Sequence, residues 1–218
     1  MKFTRFQLFV HAASLLPLAV LIYDYFTNNL TFNPIQEATL RTGKTSLILL
    51  VLTLACTPLN TLFRFTQALK VRRALGLYTF MYVTLHLLIF VWADYGLVWA
   101  LIKKAIFEKS YALVGFTAFL VMLPLALTST DGWKVRLRKK WKSLHKGVYL
   151  AGILAVIHYI WLVKSDIREP LIYAAIVAVL LLLRYPPVRR WASKLDLRRF
   201  KPRRQSSNTV PSTISGGR

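Results

Sequence analysis

Six stretches of the chain are apolar for long enough to cross a lipid bilayer as helices, which takes about 20 residues each. They cover residues 7–26, 45–63, 74–93, 111–128, 146–163 and 170–185. Together they use most of the 218 residues, and 56% of the chain is hydrophobic, a high value for a soluble domain. The sequence therefore predicts an all-α fold: a polytopic bundle of six transmembrane helices within residues 1–200.

The rest of the chain offers little room for a second folded domain. No glycine-rich phosphate motif follows a strand-like run, which argues against a built-in nucleotide domain. The single cysteine, Cys56, excludes an intrachain disulfide and is expected to be buried. The last stretch, QSSNTVPSTISGGR, is rich in Ser, Thr and Gly, and we expect residues 201–218 to form a disordered cytoplasmic tail.

Basic residues alternate between the connections of these six helices. Of the 30 Lys and Arg residues, 23 lie in the N-terminus, the 64–73 and 129–146 connections and the tail from Arg184. The other connections hold 7, together with most of the acidic residues. Because positive charge is retained on the cytoplasmic side, both termini are predicted to be cytoplasmic. Topology and contact with membrane lipid headgroups then explain the basic excess, and nucleic-acid binding is not predicted.

Four histidines are the candidate functional residues: His11, His86, His145 and His158. An ionisable side chain inside a membrane is costly and indicates a function. His86 and His158 each lie twelve residues after the start of an outward-running span, roughly 18 Å from its inner edge. Two imidazoles at equal depth on different helices can bind one flat ligand from both faces, which favours haem b. Zinc is disfavoured, because a structural zinc site takes about four ligands.

A second haem near the cytoplasmic face is a further possibility. His145 lies thirteen residues before His158, roughly 20 Å along one helix. On the third span, the corresponding positions hold Arg72 and Arg73 in place of histidine. Arg72 points within about 40° of His86 on an ideal helix, so it is the candidate to support an inner iron or a propionate. His145 could equally contact lipid or propionates, so the residues predict one or two haems.

Three sequences resemble a known family: RRALGLYTFMYVTLHLLIF, LALTST and WKSLHKGVYLAGILAVIHYIW. They are similar to the MsrQ family, the haem-binding membrane subunits of bacterial methionine-sulfoxide reductase systems, within the ferric-reductase-like transmembrane domains. The resemblance implies an inner-membrane b-type cytochrome that also holds FMN. It implies electron transfer from the quinone pool, or from a cytoplasmic flavin reductase, to a separate periplasmic molybdenum-containing catalytic subunit that reduces methionine sulfoxide in damaged proteins. By motif, His86 and His158 match the outer haem ligands and His145 matches the inner one.

Two other functions remain open from the residues. The chain could be a six-helix transporter whose histidines relay protons, or a reductase acting directly on metal ions. A transporter would more often show internal repeats or paired broken helices, and neither is evident in the sequence. The second span is expected to begin near residue 45, with Thr42 or Thr45 as its N-terminal cap.

Overall fold

The computed structural model describes residues 4–163 and 165–188, and every regular element within these ranges is a helix. The predicted disordered tail lies outside the described residues. In chain order the helices are α1 Arg5–Phe26, α2 Pro34–Phe63, α3 Thr66–Leu88 with a π-helical continuation Ile89–Asp94, α4 Trp99–Glu108, α5 Ser110–Leu127, α6 Asp131–Leu137, α7 Lys139–Leu144, α8 Gly147–Leu162 and α9 Arg168–Leu182.

The predicted all-α class is confirmed. In the described part of the chain, five helical segments are long and apolar enough to cross a membrane. The sixth candidate, α9, has 15 residues, or about 22 Å of helix, which is shorter than the roughly 30 Å hydrocarbon core. The sixth crossing and the orientation therefore stay predictions. Large apolar side chains such as Phe9 and Leu16 are well exposed, as expected where the solvent is lipid.

Helix α2 begins much earlier than the sequence predicts. Its cap is Asn33, whose side chain accepts a hydrogen bond from the Gln36 amide at 3.1 Å, and Pro34 occupies the first helical position. The expectation that Thr42 or Thr45 caps this helix is wrong. Both hydroxyls lie inside the helix and donate to carbonyls of the preceding turn.

Helices α2 and α3 form the main packing unit. They are joined at Arg64, which ends α2 in the left-handed conformation with φ at 52°, so α3 turns back along α2. Their shared core includes Leu49, Cys56 and Leu75, and α1 packs against it through Phe6 and other side chains. Cys56 is 3% exposed, which confirms its predicted burial.

Tyr82 of α3 connects this unit to α1. Its hydroxyl accepts a hydrogen bond from the Leu18 amide at 3.0 Å and donates to the Ser14 carbonyl at 2.8 Å. Both backbone groups belong to the turn of α1 that contains Pro17, so Tyr82 holds α3 against this turn. Because Tyr82 lies one turn before His86, this contact fixes α1 beside the histidine-bearing part of α3.

Arg184, after the end of α9, binds a backbone group of α2 in a similar way. Pro58 has no amide hydrogen, so the Leu54 carbonyl has no partner within its own helix. Arg184 donates to that carbonyl at 2.7 Å and to the Tyr149 hydroxyl of α8 at 2.9 Å. One guanidinium thereby links three helices.

The two ends of the bundle differ in charge. We call the end with the α2–α3 connection and the short helices α6 and α7 the basic end, where Arg73 contacts Asp131 at 3.1 Å. We call the other end, with the α1–α2 connection and α4, the distal end. There Lys44 of α2 pairs with Glu169 of α9 at 2.6 Å. The sequence predicted loops at the positions of α4, α6 and α7.

Candidate functional site: a histidine pair between two helical hairpins

His86 and His158 face each other inside the bundle. Their ring centroids are 6.2 Å apart and the ring planes are 86° to one another. His86 belongs to α3 and His158 to α8, and both side chains are partly buried. The structure thus brings together the two histidines to which the sequence assigns equal depth.

The first half-site consists of Thr39, Gly43 and His86. The Nδ1 atom of His86 lies 2.9 Å from the Thr39 carbonyl oxygen, and since a carbonyl can only accept, Nδ1 must carry the proton. Gly43 follows Thr39 by one helical turn on α2. A Cβ atom on Gly43 would lie 3.0 Å from His86 Nδ1, so glycine lets the imidazole lie directly against the helix backbone.

The second half-site consists of Tyr111, Gly115 and His158. His158 Nδ1 donates to the Tyr111 carbonyl of α5 at 2.7 Å. Gly115 again follows by one turn, and a Cβ there would lie only 2.6 Å from His158 Nδ1. Both half-sites therefore fix the proton on Nδ1 and leave Nε2 as the nitrogen that can bind a metal.

The two half-sites repeat with one spacing. Each residue of the second lies 72 positions after its counterpart in the first, and each histidine lies 47 positions after its carbonyl partner. The expectation of no internal repeat is therefore wrong for this unit. Sequence reasoning also missed the carbonyls and glycines. The available signal was a glycine inside an apolar span, which marks close approach of another group; it applied to Gly115 in the span 111–128, whereas Gly43 precedes the predicted span 45–63.

The ring separation in this pair fits two ligands of one metal ion. With metal–imidazole bonds of about 2 Å and a ring radius of about 1 Å, two imidazoles on opposite sides of one metal ion would have centroids roughly 6 Å apart, close to the separation found. Across residues 4–163 and 165–188, no group of three or more His, Cys, Asp or Glu side chains could hold a metal ion. A metal between these two rings would take its other ligands from a cofactor such as a porphyrin.

His145 lies apart from this pair, at the basic end. It occupies the turn between α7 and α8, where its ring stacks on Trp141 with centroids 3.9 Å apart. Its Nδ1 donates to the Trp141 carbonyl at 3.2 Å, while its buried Nε2 has no hydrogen-bond partner in the described part of the chain. An unpartnered buried nitrogen fits a ligand atom. The assumption of one regular helix from His145 to His158 is wrong, because α8 begins only at Gly147.

The arginines at the basic end take different partners. Arg72 is exposed and donates to the Thr57 hydroxyl at 3.3 Å. Within the described residues, no hydrogen bond joins Arg72 to His145. Arg73 instead forms the ion pair with Asp131.

His11 is also outside the pair. Its Nδ1 lies 2.9 Å from the Tyr78 hydroxyl, and the two rings meet edge to face. This contact joins α1 to α3 and indicates a packing role.

Comparison with known proteins shows which family this chain resembles. Residues 42–156 match the model of the family described as ferric reductase like transmembrane component. The heme-binding subunit MsrQ of the protein-methionine-sulfoxide reductase of Xanthomonas campestris pv. campestris (strain B100) is 46% identical over 178 residues, covering 79% of this chain and 82% of the relative. The chain belongs to the MsrQ family. The subunit of the same name from Xanthomonas oryzae pv. oryzae (strain MAFF 311018) is 43% identical and covers 90% of this chain and 90% of its own length. The one from Rhodospirillum rubrum is also 43% identical and covers 83% of this chain and 88% of its own length.

Membership of the MsrQ family and the five apolar helical segments together identify a multi-pass membrane protein. No solved structure matches the chain. The matched ferric-reductase-like region contains Gly43, His86 and Gly115, whereas His158 lies two residues beyond its end. The second half-site is thus completed by the part of α8 that follows the matched region.

Proposed function

We propose that this MsrQ family protein holds haem b between His86 and His158 and passes electrons to a separate, periplasmic methionine-sulfoxide reductase. The observation that carries the proposal is the histidine pair, with rings 6.2 Å apart and both Nδ1 atoms donating to main-chain carbonyls. The relatives' printed names, which give a heme-binding subunit of that enzyme system, support it.

The two histidine ligands indicate which step belongs to this chain and which to its partner. A bound haem supplies one-electron chemistry. His86 and His158 would occupy both axial positions, which leaves none for a substrate, so we assign electron transfer to this chain. Reduction of methionine sulfoxide then belongs to the partner, which we propose to be the molybdenum-containing catalytic subunit. Reduction of the sulfoxide to a thioether and water requires two electrons and two protons; this chain would deliver the electrons one at a time, and the protons would come from water at the partner's site.

The basic end is proposed to receive the electrons. The unpartnered Nε2 of His145 supports a ligand for a second haem, and the exposed guanidinium of Arg72 supports contact with a propionate or with the phosphate of FMN. We propose quinol, or a cytoplasmic flavin reductase, as the donor and the bacterial inner membrane as the location.

One observation favours a histidine-based transporter instead, namely the 72-residue repeat of the half-sites, because transporters are often built from repeats. The hydrogen bonds oppose it. In a proton relay each ring nitrogen passes protons to a titratable neighbour, whereas both Nδ1 atoms here donate to backbone carbonyls. The rings are thus held in one tautomer, which suits ligation.

Spectroscopy of the purified protein tests the proposal. We expect a Soret band that shifts on reduction, one or two haems per chain, and reoxidation of the reduced protein when the catalytic subunit and a methionine sulfoxide are added. A colourless protein obtained in full yield would refute haem binding. A haem protein that the catalytic subunit does not reoxidise would refute the assigned partner.

A further inference from the structure

Helix α4 is a short element at the distal end, between the π-helical turn and α5. Its ten residues span about 15 Å, so it cannot cross a bilayer. Ile102 and Ala105 are buried. Helical spacing places Phe107 on the opposite side, where it is 73% exposed.

The exposed side of α4 is basic. Lys103 and Lys104 lie on either side of Phe107 around the helix axis, and Lys109 follows at the end of the helix. Lys109 donates to the Tyr95 hydroxyl at 2.9 Å, which raises the pKa of the Lys109 ammonium and keeps it charged. Asp94 and Glu108 only partly balance these three charges. At the α1–α2 connection, by contrast, Arg41 is held by both Asp24 and Glu37.

A cavity lies beside the end of this helix. Its volume is about 480 Å³, and its lining includes Lys109, Tyr111 and Trp161. The Tyr111 carbonyl is the group that accepts the hydrogen bond from His158. Trp161 follows His158 by three residues on α8 and is 51% exposed. The cavity is therefore lined by the residue whose carbonyl holds His158 and by a residue three positions after His158 on α8.

We propose that Lys103, Lys104, Phe107, Lys109 and Trp161, here called the distal patch, dock the soluble redox protein that takes electrons from the histidine pair. The partner's docking surface would carry an apolar area that meets the aromatic side chains, surrounded by carboxylates that pair with the lysines. Exposed aromatic side chains supply the anchors of such interfaces, and lysines steer an acidic partner toward them. Lipid contact would explain exposed aromatics beside lysines, but it gives no reason for a cavity lined by Tyr111, whose carbonyl holds His158. The inference rests on the proposed function.

Charge reversal at single positions tests the distal patch. The full-length haem protein is placed in nanodiscs of zwitterionic phosphatidylcholine, reduced with dithionite, and mixed rapidly with the purified methionine-sulfoxide reductase catalytic subunit. For Lys103→Glu and for Lys104→Glu we expect the second-order reoxidation rate at low ionic strength to fall about fivefold, and its salt dependence to weaken. Phe107→Ser should raise the half-saturating concentration of the catalytic subunit about tenfold.

Arg168→Glu is the matched control, because this basic side chain is also at the distal end and is 91% exposed. It should change the rate less than about twofold. Unchanged rates and salt dependence in both lysine variants, with intact haem spectra, would overturn the distal patch and leave the proposed function standing. An equal loss in Arg168→Glu would also overturn it, since the effect would then come from overall charge. If the wild-type protein is not reoxidised, the proposed function fails and the distal patch with it.

Discussion

The two half-sites are alike around the histidine pair and different at the basic end. In each, a histidine on one helix lies against a glycine of its neighbour and donates to the carbonyl one turn before that glycine. The same 72-residue offset carries His145 of the second half onto Arg73 of the first. The repeat therefore supplies two equivalent ligands at one depth, but only one histidine at the other.

This difference separates what each region can do. Two matched imidazoles, each oriented by a backbone carbonyl, would supply both protein ligands of one haem iron. His145, in contrast, lies in a turn, is stacked on Trp141, and has no histidine counterpart across the bundle. A cofactor at the basic end would need a second ligand of another kind, or would bind through its own charged groups.

The largest expected effect comes from removing one member of the pair. We predict that His86→Ala and His158→Ala each lose nearly all of the haem held between them and all electron transfer to the catalytic subunit, because one axial ligand is left beside an apolar gap. Pyridine haemochrome assay and reduced-minus-oxidised spectra measure the loss. His11→Ala, which removes the contact with Tyr78 and lies outside the pair, is the control and should retain the haem. Normal spectra in both pair variants would refute the pairing.

The next largest effect is expected at Gly43 and Gly115, where the loss of haem affinity should differ between the two half-sites. Gly115→Ala places a Cβ 2.6 Å from His158 Nδ1, and Gly43→Ala places one 3.0 Å from His86 Nδ1. Both disturb the contact that orients a ligand, which typically costs about 10- to 100-fold in metal affinity. We expect the larger loss in Gly115→Ala, measured by titrating haem into the apoprotein.

Gly76→Ala is the control for these glycine variants, since its Cβ would meet only Thr53 at an ordinary 3.7 Å. It should bind haem like the wild type. Equal affinities for Gly43→Ala, Gly115→Ala and Gly76→Ala would show that the close approach of the glycines does not position the rings.

Much of this site could be predicted from sequence because depth in a membrane is a one-dimensional property. Counting from the start of each span was enough to pair His86 with His158. The hydrogen-bonding partners could not be predicted in this way, since they are backbone carbonyls on other helices, and any residue type supplies a carbonyl. The repeat was missed for a similar reason. Glycine and histidine recur in both half-sites, but the third position is Thr39 in one and Tyr111 in the other, because only its backbone carbonyl is used.

The connections were harder to predict than the spans. Hydropathy identifies where a helix crosses lipid, but it does not show where the helix begins in water, so the eleven residues of α2 before position 45 were missed. The short helices α4, α6 and α7 were missed because their charged residues break any apolar run. As a consequence, the sequence indicated neither the distal patch nor the break in the helix at His145.

The third prediction concerns His145. If it binds a second haem, His145→Ala should lose about half of the total haem while the spectrum of the His86–His158 haem persists, because the two sites share no ligand. Reduction by quinol or by the flavin reductase should then fail, while dithionite still reduces the remaining haem. A wild-type protein with one haem per chain, unchanged in His145→Ala, would assign this region to flavin or quinone contact instead.

The smallest effect is expected at the two arginines, and it decides how far the repeat extends. Among the described residues, the hydrogen bond of Arg72 goes to the Thr57 hydroxyl, whereas Arg73 pairs with Asp131. Removing a positive charge near a haem disfavours the reduced form, so Arg72→Gln should lower the midpoint potential of the basic-end haem in a redox titration. Arg73→Gln, the matched control, should lower it less, because helical spacing turns Arg73 about 100° around α3 from Arg72, to where it pairs with Asp131. The opposite result, a shift in Arg73→Gln and none in Arg72→Gln, would show that Arg73 supports the basic-end site. Since Arg73 lies 72 positions before His145, the repeat would then extend from the histidine pair to the basic end of the bundle.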